Sequence, residues 1–254
     1  MALRGLLATA LDASGLLGGL AARHSRATIA MYHRILPRSA VEFSAADPGM
    51  VVSLEAFRMH VREYASRFEV VPLRDLPERL AGALAPEKPL LVITFDDGWL
   101  DTYELAAPEL HALGLPATIF ATVKYVQAGA AGEPFATSGQ LGELARNGFE
   151  IGSHTWSHRE LIGVEGRDLE REVSDSRTWL EDALGGPIVS FAYPRGKYDA
   201  TVANAVRQAY RSAVTVNPGY CRPGVDLALL PRIGIHDDMT NSLPRLRWRL
   251  AGMP

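Results

Sequence analysis

The chain has 254 residues, of which 47% are hydrophobic and 22% are charged, and its formal net charge is −3. The apolar fraction excludes intrinsic disorder, and the mild acidity argues against a nucleic-acid-binding protein, whose surface would be basic. Cys221 is the only cysteine, which excludes an internal disulfide framework and a thiolate zinc cluster. We interpret it as an inert thiol, so a metal site would have to use His, Asp and Glu.

Residues 1–26 are interpreted as an N-terminal amphipathic helical segment. Leucines recur in it at helical spacing, at Leu3, Leu6, Leu7 and Leu11. Asp12 and the Gly18-Gly19 pair interrupt the apolar residues, so the run of ~18 that a membrane span needs is not reached. We expect the helix to pack on the domain and the protein to be cytoplasmic, with a membrane-peripheral position as the alternative.

Strand-like and helix-like patterns alternate over residues 27–240, which is typical of βα units in a parallel sheet. The predicted strands are Ala27–His33, Glu69–Pro72, Leu90–Phe95, Ala117–Ala121, Phe149–Gly152, Ile188–Ala192, Ser212–Val216 and Leu229–Ile235. The predicted helices are Ser53–Phe68, capped by Ser53, then Leu76–Leu84, Tyr103–Leu113, Ser138–Asn147, Asp168–Leu184 and Ala200–Tyr210. We predict a mobile loop over Gln127–Thr137, one domain over 27–240, and a basic C-terminal tail over 241–254 with a solvated helix end at Arg245–Arg249.

Residues that can carry chemistry follow five of the predicted strands at their carboxyl ends. They are His33, then Asp96 with Asp97, then His154 with His158, then Tyr193 with Pro194 and Arg195, and finally His236. In βα barrels the active site gathers at this end of the strands. The sequence therefore predicts one site that collects these residues.

Two imidazoles and a carboxylate at this edge would suit a hydrolytic metal site. His154 and His158 are one helical turn apart, where both can reach one cation, although a pair at that spacing is more often on the surface. With a carboxylate they form a three-ligand site that leaves a position for water. Successive side chains diverge, so we expect one of the two Asp residues to bind metal and the other to act as a base. The remaining histidines, His24, His60 and His111, are interpreted as structural.

Three motifs in register resemble the polysaccharide deacetylases that share the NodB homology domain. They are Thr94-Phe95-Asp96-Asp97-Gly98, Ser153-His154-Thr155-Trp156-Ser157-His158 and Phe191-Ala192-Tyr193-Pro194-Arg195-Gly196. The likeness runs from about Ile29 to Ile235, and the early Tyr32-His33 is similar to the members that deacetylate exopolysaccharide. The resemblance implies a distorted (β/α) barrel of about seven strands and a metal-dependent deacetylase that acts on carbohydrate.

The resemblance also implies a role for each candidate residue. Asp97, His154 and His158 would bind a divalent metal, with Zn²⁺ expected and Co²⁺ or Ni²⁺ as alternatives, and Asp96 would be the general base. The stretch Tyr193-Pro194-Arg195 would line the substrate groove, where the Arg195 N–H would stabilise the oxyanion.

The chain departs from the family's pattern at two positions of the third motif. Many members have an arginine, which positions the catalytic aspartate, where Ala192 stands, and a tyrosine where Arg195 stands. Our hypothesis is that Arg232 supplies the missing guanidinium from the last strand. We assign the general acid to His33, with His236 as the competitor.

The reaction implied is hydrolysis of the acetamide on an N-acetylated sugar of a polysaccharide. By the resemblance, the metal would activate the attacking water, Asp96 would accept the proton of that water, and His33 would protonate the departing amine. An O-acetyl polysaccharide esterase, a small-molecule deacylase and a non-catalytic carbohydrate-binding domain are the alternatives. The expected partner is therefore a glycan and not a nucleic acid.

Overall fold

The structure is a computed structural model that describes residues 2–15, 27–82 and 87–252. It is built around a curled parallel sheet. The strands, numbered in chain order, are β1 (Ala27–Tyr32), β2 (Arg34–Leu36), β3 (Val51–Ser53), β4 (Glu69–Val70), β5 (Leu90–Phe95), β6 (Thr118–Ala121), β7 (Glu150–Ser153), β8 (Ser190–Ala192), β9 (Ser212–Val214) and β10 (Ile233–Gly234). Seven strands follow one another in the order β10-β1-β5-β6-β7-β8-β9, with β4 paired to the start of β5. A bridge between Val214 and Leu230 brings the two ends of the sheet together. The prediction of a distorted barrel of about seven strands is confirmed.

The strand Leu90–Phe95 lies inside this sheet, between β1 and β6, and has the bounds that its sequence predicts. All six residues are buried, as a continuous apolar run in a parallel sheet should be. Its register with β1 pairs Tyr32 with Phe95, and the Asp96 N–H donates to the Tyr32 carbonyl at 3.0 Å. The two strands therefore end at the same level of the barrel, and His33 and Asp96 follow them side by side.

Helices cover the sheet. In chain order they are α1 (Ala2–Ala13), α2 (Val41–Ala45), α3 (Leu54–Arg67), α4 (Leu76–Ala81), α5 (Ala107–His111), α6 (Val123–Ala130), α7 (Ser138–Arg146), α8 (Gly166–Glu170), α9 (Ser176–Leu184), α10 (Ala200–Ala209), α11 (Asp237–Thr240) and α12 (Leu243–Leu250). The predicted cap of α3 is confirmed, because the Ser53 hydroxyl accepts from the Ala56 N–H. The start of α7 carries a capping box in which Thr137 and Gln140 satisfy each other's backbone N–H groups.

Two helices predicted as regular are interrupted by a wide turn. Thr102–Ala106 and Arg171–Asp175 are π-helical, and α5 and α9 follow them directly. In the first case Pro108 lies early in the next helix and has no N–H to donate. Such turns are frequent beside functional sites, and both of these lie in the segments that follow candidate site residues.

Two further predictions need correction, and one pair of strands was not predicted. The segment Gln127–Thr137 is not wholly a loop, because its first four residues complete α6, in which Val123 and Val126 are buried. The last strand is only Ile233–Gly234, because Pro231 cannot donate to a ladder. The short parallel pair β2 and β3 was not predicted, since three residues are too few to show an alternating pattern.

The two terminal segments contact each other. Arg247 of α12 donates to both carboxylate oxygens of Asp12 in α1 at 2.9 Å, and to Glu63 of α3 at 2.7 and 3.0 Å. Leu246 and Leu250, which belong to the predicted basic C-terminal tail, are buried in the core. In the described ranges, no helix is both long and apolar enough to cross a bilayer.

Candidate active site

Asp97, His154 and His158 come together at the carboxyl end of the sheet. One possible ligand atom from each residue lies within 4.8 Å of the others. Oδ1 of Asp97 is 3.1 Å from Nε2 of His158 and 3.6 Å from Nε2 of His154. Asp97 and His154 are buried, whereas His158 is partly exposed. The predicted grouping of these three side chains is therefore present in the fold.

The backbone is held in an unusual conformation at this site. Among the described residues other than glycine, four have a positive φ, and all four lie in the three sequence motifs: Asp97 (73°), Thr155 (70°), His158 (62°) and Arg195 (53°). Such conformations are disfavoured for side chains with a Cβ and persist where the surrounding structure imposes them. Each of the three motifs therefore contains at least one residue whose backbone conformation is held by its surroundings.

The imidazole of His154 is fixed in the tautomer that a metal ligand needs. Its Nδ1 lies 2.8 Å from the carbonyl oxygen of Ala192, which can only accept, so Nδ1 carries the proton and Nε2 is free to bind a cation. Burial lowers the pKa of His154 to about 4, which keeps the ring neutral at neutral pH. Ala192, a residue without a polar side chain, thus contributes through its backbone.

Asp97 presents one oxygen to the two histidines. Its Oδ2 accepts from the Trp99 indole N–H at 3.0 Å, whereas its buried Oδ1 accepts no hydrogen bond. Burial alone would raise the pKa of Asp97, but the imidazoles of His158 and His154 hold it below its usual value. A buried, ionised oxygen without a hydrogen bond, next to two imidazole nitrogens, fits a divalent cation held by mixed oxygen and nitrogen donors.

Asp96 is bound by Arg232 in a bidentate ion pair. Both guanidinium–carboxylate distances are 2.7 Å, and Arg232 is only 1% exposed. Two further Arg232 donors bind the Thr215 carbonyl at 2.8 Å and the Thr94 hydroxyl at 3.2 Å. Burial would raise the pKa of Asp96, but Arg232 outweighs that effect and lowers it. The contact predicted for Arg232 is therefore observed, and Asp96 is ionised at neutral pH.

Of the two candidate acids, His33 lies against Asp96. Its Nε2 is 3.8 Å from Asp96 Oδ2, and its side chain is 14% exposed. His236 caps α11 and accepts two backbone N–H groups with its carbonyl oxygen. Burial lowers the pKa of His236, with Arg249 as the next contribution.

Most side chains of the third motif are buried. Tyr193 and Pro194 are buried, and the ring of Tyr193 packs against Phe191 and Tyr198. Only the Arg195 side chain is exposed, 3.4 Å from Glu160. A groove contact in this motif would therefore be made by Arg195 or by the main chain.

A buried carboxylate that sequence reasoning did not identify supports the loop between the histidines. Glu172 accepts from the Trp156 N–H at 3.0 Å, the Ser157 N–H at 2.9 Å and the Ser157 hydroxyl at 2.7 Å. Its position in a predicted helix gives no sign of this role. Trp99 was missed as well, although an indole donor two residues after Asp97 is a usable signal.

The structure describes Cys221 and two of the three histidines that were interpreted as structural. His60 is buried and lies 2.7 Å from the Thr240 carbonyl and 3.1 Å from the Tyr32 hydroxyl. His111 is exposed at the end of α5, and His24 lies outside the described residues. Cys221 is buried, which raises the pKa of its thiol to about 12 and agrees with an inert thiol.

Both the sequence and the fold are similar to those of known proteins. The sequence profile of the family described as polysaccharide deacetylase matches residues 83–214. YxkH of Bacillus subtilis (strain 168), assigned as a polysaccharide deacetylase, is 27% identical over 216 residues, which are 84% of this chain and 73% of YxkH. Streptococcus pyogenes deacetylase PplD, solved in complex with acetate, has a TM-score of 0.79 and 25% identity, covering 91% of this chain and all of PplD. IcaB from Ammonifex degensii has the same fold, with a TM-score of 0.72 at 23% identity over 89% of this chain and 97% of IcaB.

Proposed function

The chain belongs to the polysaccharide deacetylase family, and from that premise we propose that it is a metal-dependent deacetylase that hydrolyses the acetamide of N-acetylated sugars in a polysaccharide. The observation that carries the proposal is the pairing of Asp96, ionised and held by Arg232, with the adjacent cluster of Asp97, His154 and His158. Hydrolysis by activated water needs a carboxylate base beside a cation site of this kind. The acetate in the similar PplD structure is consistent with an acetyl-releasing enzyme.

The donor set indicates which cation the cluster would hold. Two imidazole nitrogens and one carboxylate oxygen are typical of hydrolytic Zn²⁺ sites, with Co²⁺ or Ni²⁺ as close substitutes. Such an ion would polarise a bound carbonyl and lower the pKa of water to roughly 7. Among the described residues, Asp97 forms no ion pair with an arginine or lysine, so its charge is available to a cation.

Asp96 would accept the proton of the attacking water. Arg232 uses one acceptor direction on each Asp96 oxygen, and a carboxylate has about four in all. The ion pair therefore leaves Asp96 able to bind water while it keeps the carboxylate ionised and fixes its orientation. Without Arg232, burial would favour the protonated form, which cannot act as a base.

His33 would donate a proton to the departing amine nitrogen. Its Nε2 lies beside Asp96, so His33 is near the position of the reacting group. The proton that Asp96 accepts can then pass to His33 and return it to its acid form. The Arg195 N–H, in the strained turn that follows β8, would donate to the developing oxyanion. Pre-aimed donors of this kind stabilise the tetrahedral state without reorganising during the reaction.

Acetate release tests this proposal directly. Protein stripped with a chelator is assayed on N-acetylglucosamine oligomers and on O-acetylated xylan oligomers, before and after Zn²⁺ or Co²⁺ is restored. We expect release from the N-acetyl substrate that requires the metal. Metal-dependent release from the ester alone would replace the amidase with an O-acetyl esterase. No release from either substrate, with one metal bound per chain, would contradict deacetylation of these sugars.

A further inference from the structure

A row of stacked side chains lies beside the proposed metal site. The Arg34 guanidinium is 4.3 Å from the centre of the Trp99 ring. The ring of Phe135 is 4.4 Å from Trp99 and 4.3 Å from Tyr125, and Tyr125 in turn lies 5.6 Å from the His158 ring. The row therefore runs from an arginine to one of the proposed ligands.

These rings are not arranged to receive a sugar. Phe135 lies between Trp99 and Tyr125, with interplanar angles of 30° and 12°. Trp99 is covered by Arg34 as well. Sugar stacking needs an open aromatic face, and in this row the faces are used by neighbouring side chains.

Each end of the Trp99 contact is anchored independently. Arg34 donates to Asp101 at 2.9 Å, and Asp101 also accepts from the Ile35 N–H at 2.9 Å. On the other side, Trp99 and Phe135 form an antiparallel bridge, flanked by backbone bonds from Leu100 to Pro134 and from Ala136 to Gly98. The indole is thus clamped between a fixed cation and a fixed ring.

The clamped indole points its only donor at a proposed metal ligand. The Trp99 N–H donates to Asp97 Oδ2 at 3.0 Å, which leaves Oδ1 to face His154 and His158. A carboxylate with one oxygen occupied by a donor is held as a single-oxygen ligand. Partners of this kind orient metal ligands, and their loss typically weakens metal binding ~10–100-fold.

We propose that Trp99, clamped between Arg34 and Phe135, is a positioning residue that fixes Asp97 as a single-oxygen metal ligand. The inference rests on the metal site of the proposed function. It assigns to Trp99 a contribution to metal affinity that its packing alone would not give.

The test compares Zn²⁺ affinity in Trp99→Phe and in Trp179→Phe, measured by competition with a chromophoric chelator. Trp99→Phe keeps a ring for Arg34 and Phe135 but removes the N–H donor. Trp179, partly buried on α9, is the matched control. We expect Zn²⁺ binding to weaken about tenfold in Trp99→Phe, with a changed Co²⁺ visible spectrum, and to stay within twofold of wild type in the control.

A Trp99→Phe protein with wild-type Zn²⁺ affinity would overturn the inference while leaving the proposed function intact. Wild-type protein that binds no Zn²⁺ at this site would overturn both. Urea unfolding of each apoprotein separates a local effect on metal binding from a general loss of stability.

Phe135→Leu provides a second test that does not alter the indole donor. Because Phe135 acts on the metal site through Trp99, we expect a smaller loss of Zn²⁺ affinity, about two- to fivefold, and no further loss when it is combined with Trp99→Phe. Wild-type affinity in Phe135→Leu, or fully additive losses in the double variant, would contradict the clamp.

Discussion

Arg232 and Asp96 are joined by two parallel hydrogen bonds of 2.7 Å although 136 positions separate them in the chain. Both side chains are buried, at 1% and 2% exposure. The ion pair connects β10 to the end of β5 and keeps a buried carboxylate charged. Structure and proposed chemistry therefore depend on the same contact.

Replacing Arg232 with Ala should lower the free energy of unfolding by about 3–5 kcal/mol, because the buried Asp96 would lose its compensating charge and would have to be protonated or remain unpaired. Urea denaturation at pH 7 measures this. Arg211, whose exposed side chain pairs with Glu78, provides the control: Arg211→Ala should change stability by less than about 1 kcal/mol. Equal effects of the two substitutions would contradict a special role for the buried pair.

Arg232→Lys should move the acidic limb of the rate profile to higher pH. A lysine keeps one charge but cannot donate from two fixed positions, so it opposes the effect of burial on Asp96 less well. The pKa of Asp96 then rises, and the base becomes protonated at a higher pH than in the wild type. The pH dependence of kcat/KM checks this shift, and an unchanged acidic limb would show that Arg232 does not set the ionisation of the base.

His33→Ala should reduce acetate release more than His236→Ala, by about 10²–10⁴-fold if His33 is the acid. His33 lies 3.8 Å from Asp96. Burial lowers the pKa of His236, so a smaller fraction of that imidazole holds the proton that an acid must donate. Turnover of both variants with Zn²⁺ restored compares the two assignments, and a larger loss in His236→Ala would reverse them.

Glu172→Gln should destabilise the protein by about 1–3 kcal/mol, because an amide cannot accept all three hydrogen bonds of the Trp156–Ser157 loop. Glu170, exposed on the same helical segment and paired with Arg167, is the control, with an expected change within about 0.5 kcal/mol for Glu170→Gln. Thermal or urea unfolding of the two apoproteins gives the comparison. A Glu172→Gln protein as stable as the control would show that this carboxylate does not hold the loop.

The stability difference between the wild type and His60→Gln should shrink as the pH falls from 6.5 to 4. Burial lowers the pKa of His60 from 6.5 to about 4, so the unfolded chain binds a proton in this window and the folded chain does not. The wild type therefore loses about 1.4 kcal/mol of stability per pH unit from this group, and His60→Gln does not. Urea unfolding in the presence of a chelator measures the difference, which would stay constant if His60 were already protonated in the fold.

The sequence predicted those parts of the fold that depend on local patterns. The buried run Leu90–Phe95 and the cap at Ser53 match the structure because each rests on neighbouring residues. The β2–β3 pair was not anticipated and the last strand was predicted too long, since strands of two or three residues depend on partners elsewhere. The helix Val123–Ala130 was missed because its Ala- and Gly-rich end resembles a loop.

In the site too, some features follow from local sequence patterns and others depend on distant partners. The grouping of Asp97, His154 and His158 follows from strand ends that meet at one edge. The supporting contacts of Trp99 and Glu172 join different loops, and no spacing rule indicates which donor meets which acceptor. The Arg232 contact was predicted only because a departure at Ala192 required a guanidinium from elsewhere.

The division of labour between the two adjacent aspartates is tested most directly by comparing Asp96→Asn with Asp97→Asn, measuring bound Zn²⁺ per chain and acetate release from N-acetylglucosamine oligomers on the same samples. If Asp96 is the base and Asp97 the ligand, Asp96→Asn keeps one Zn²⁺ per chain but loses nearly all release, whereas Asp97→Asn loses Zn²⁺ and release together. Asp96→Asn with wild-type turnover would contradict the mechanism, and so would Asp97→Asn that retains tightly bound Zn²⁺.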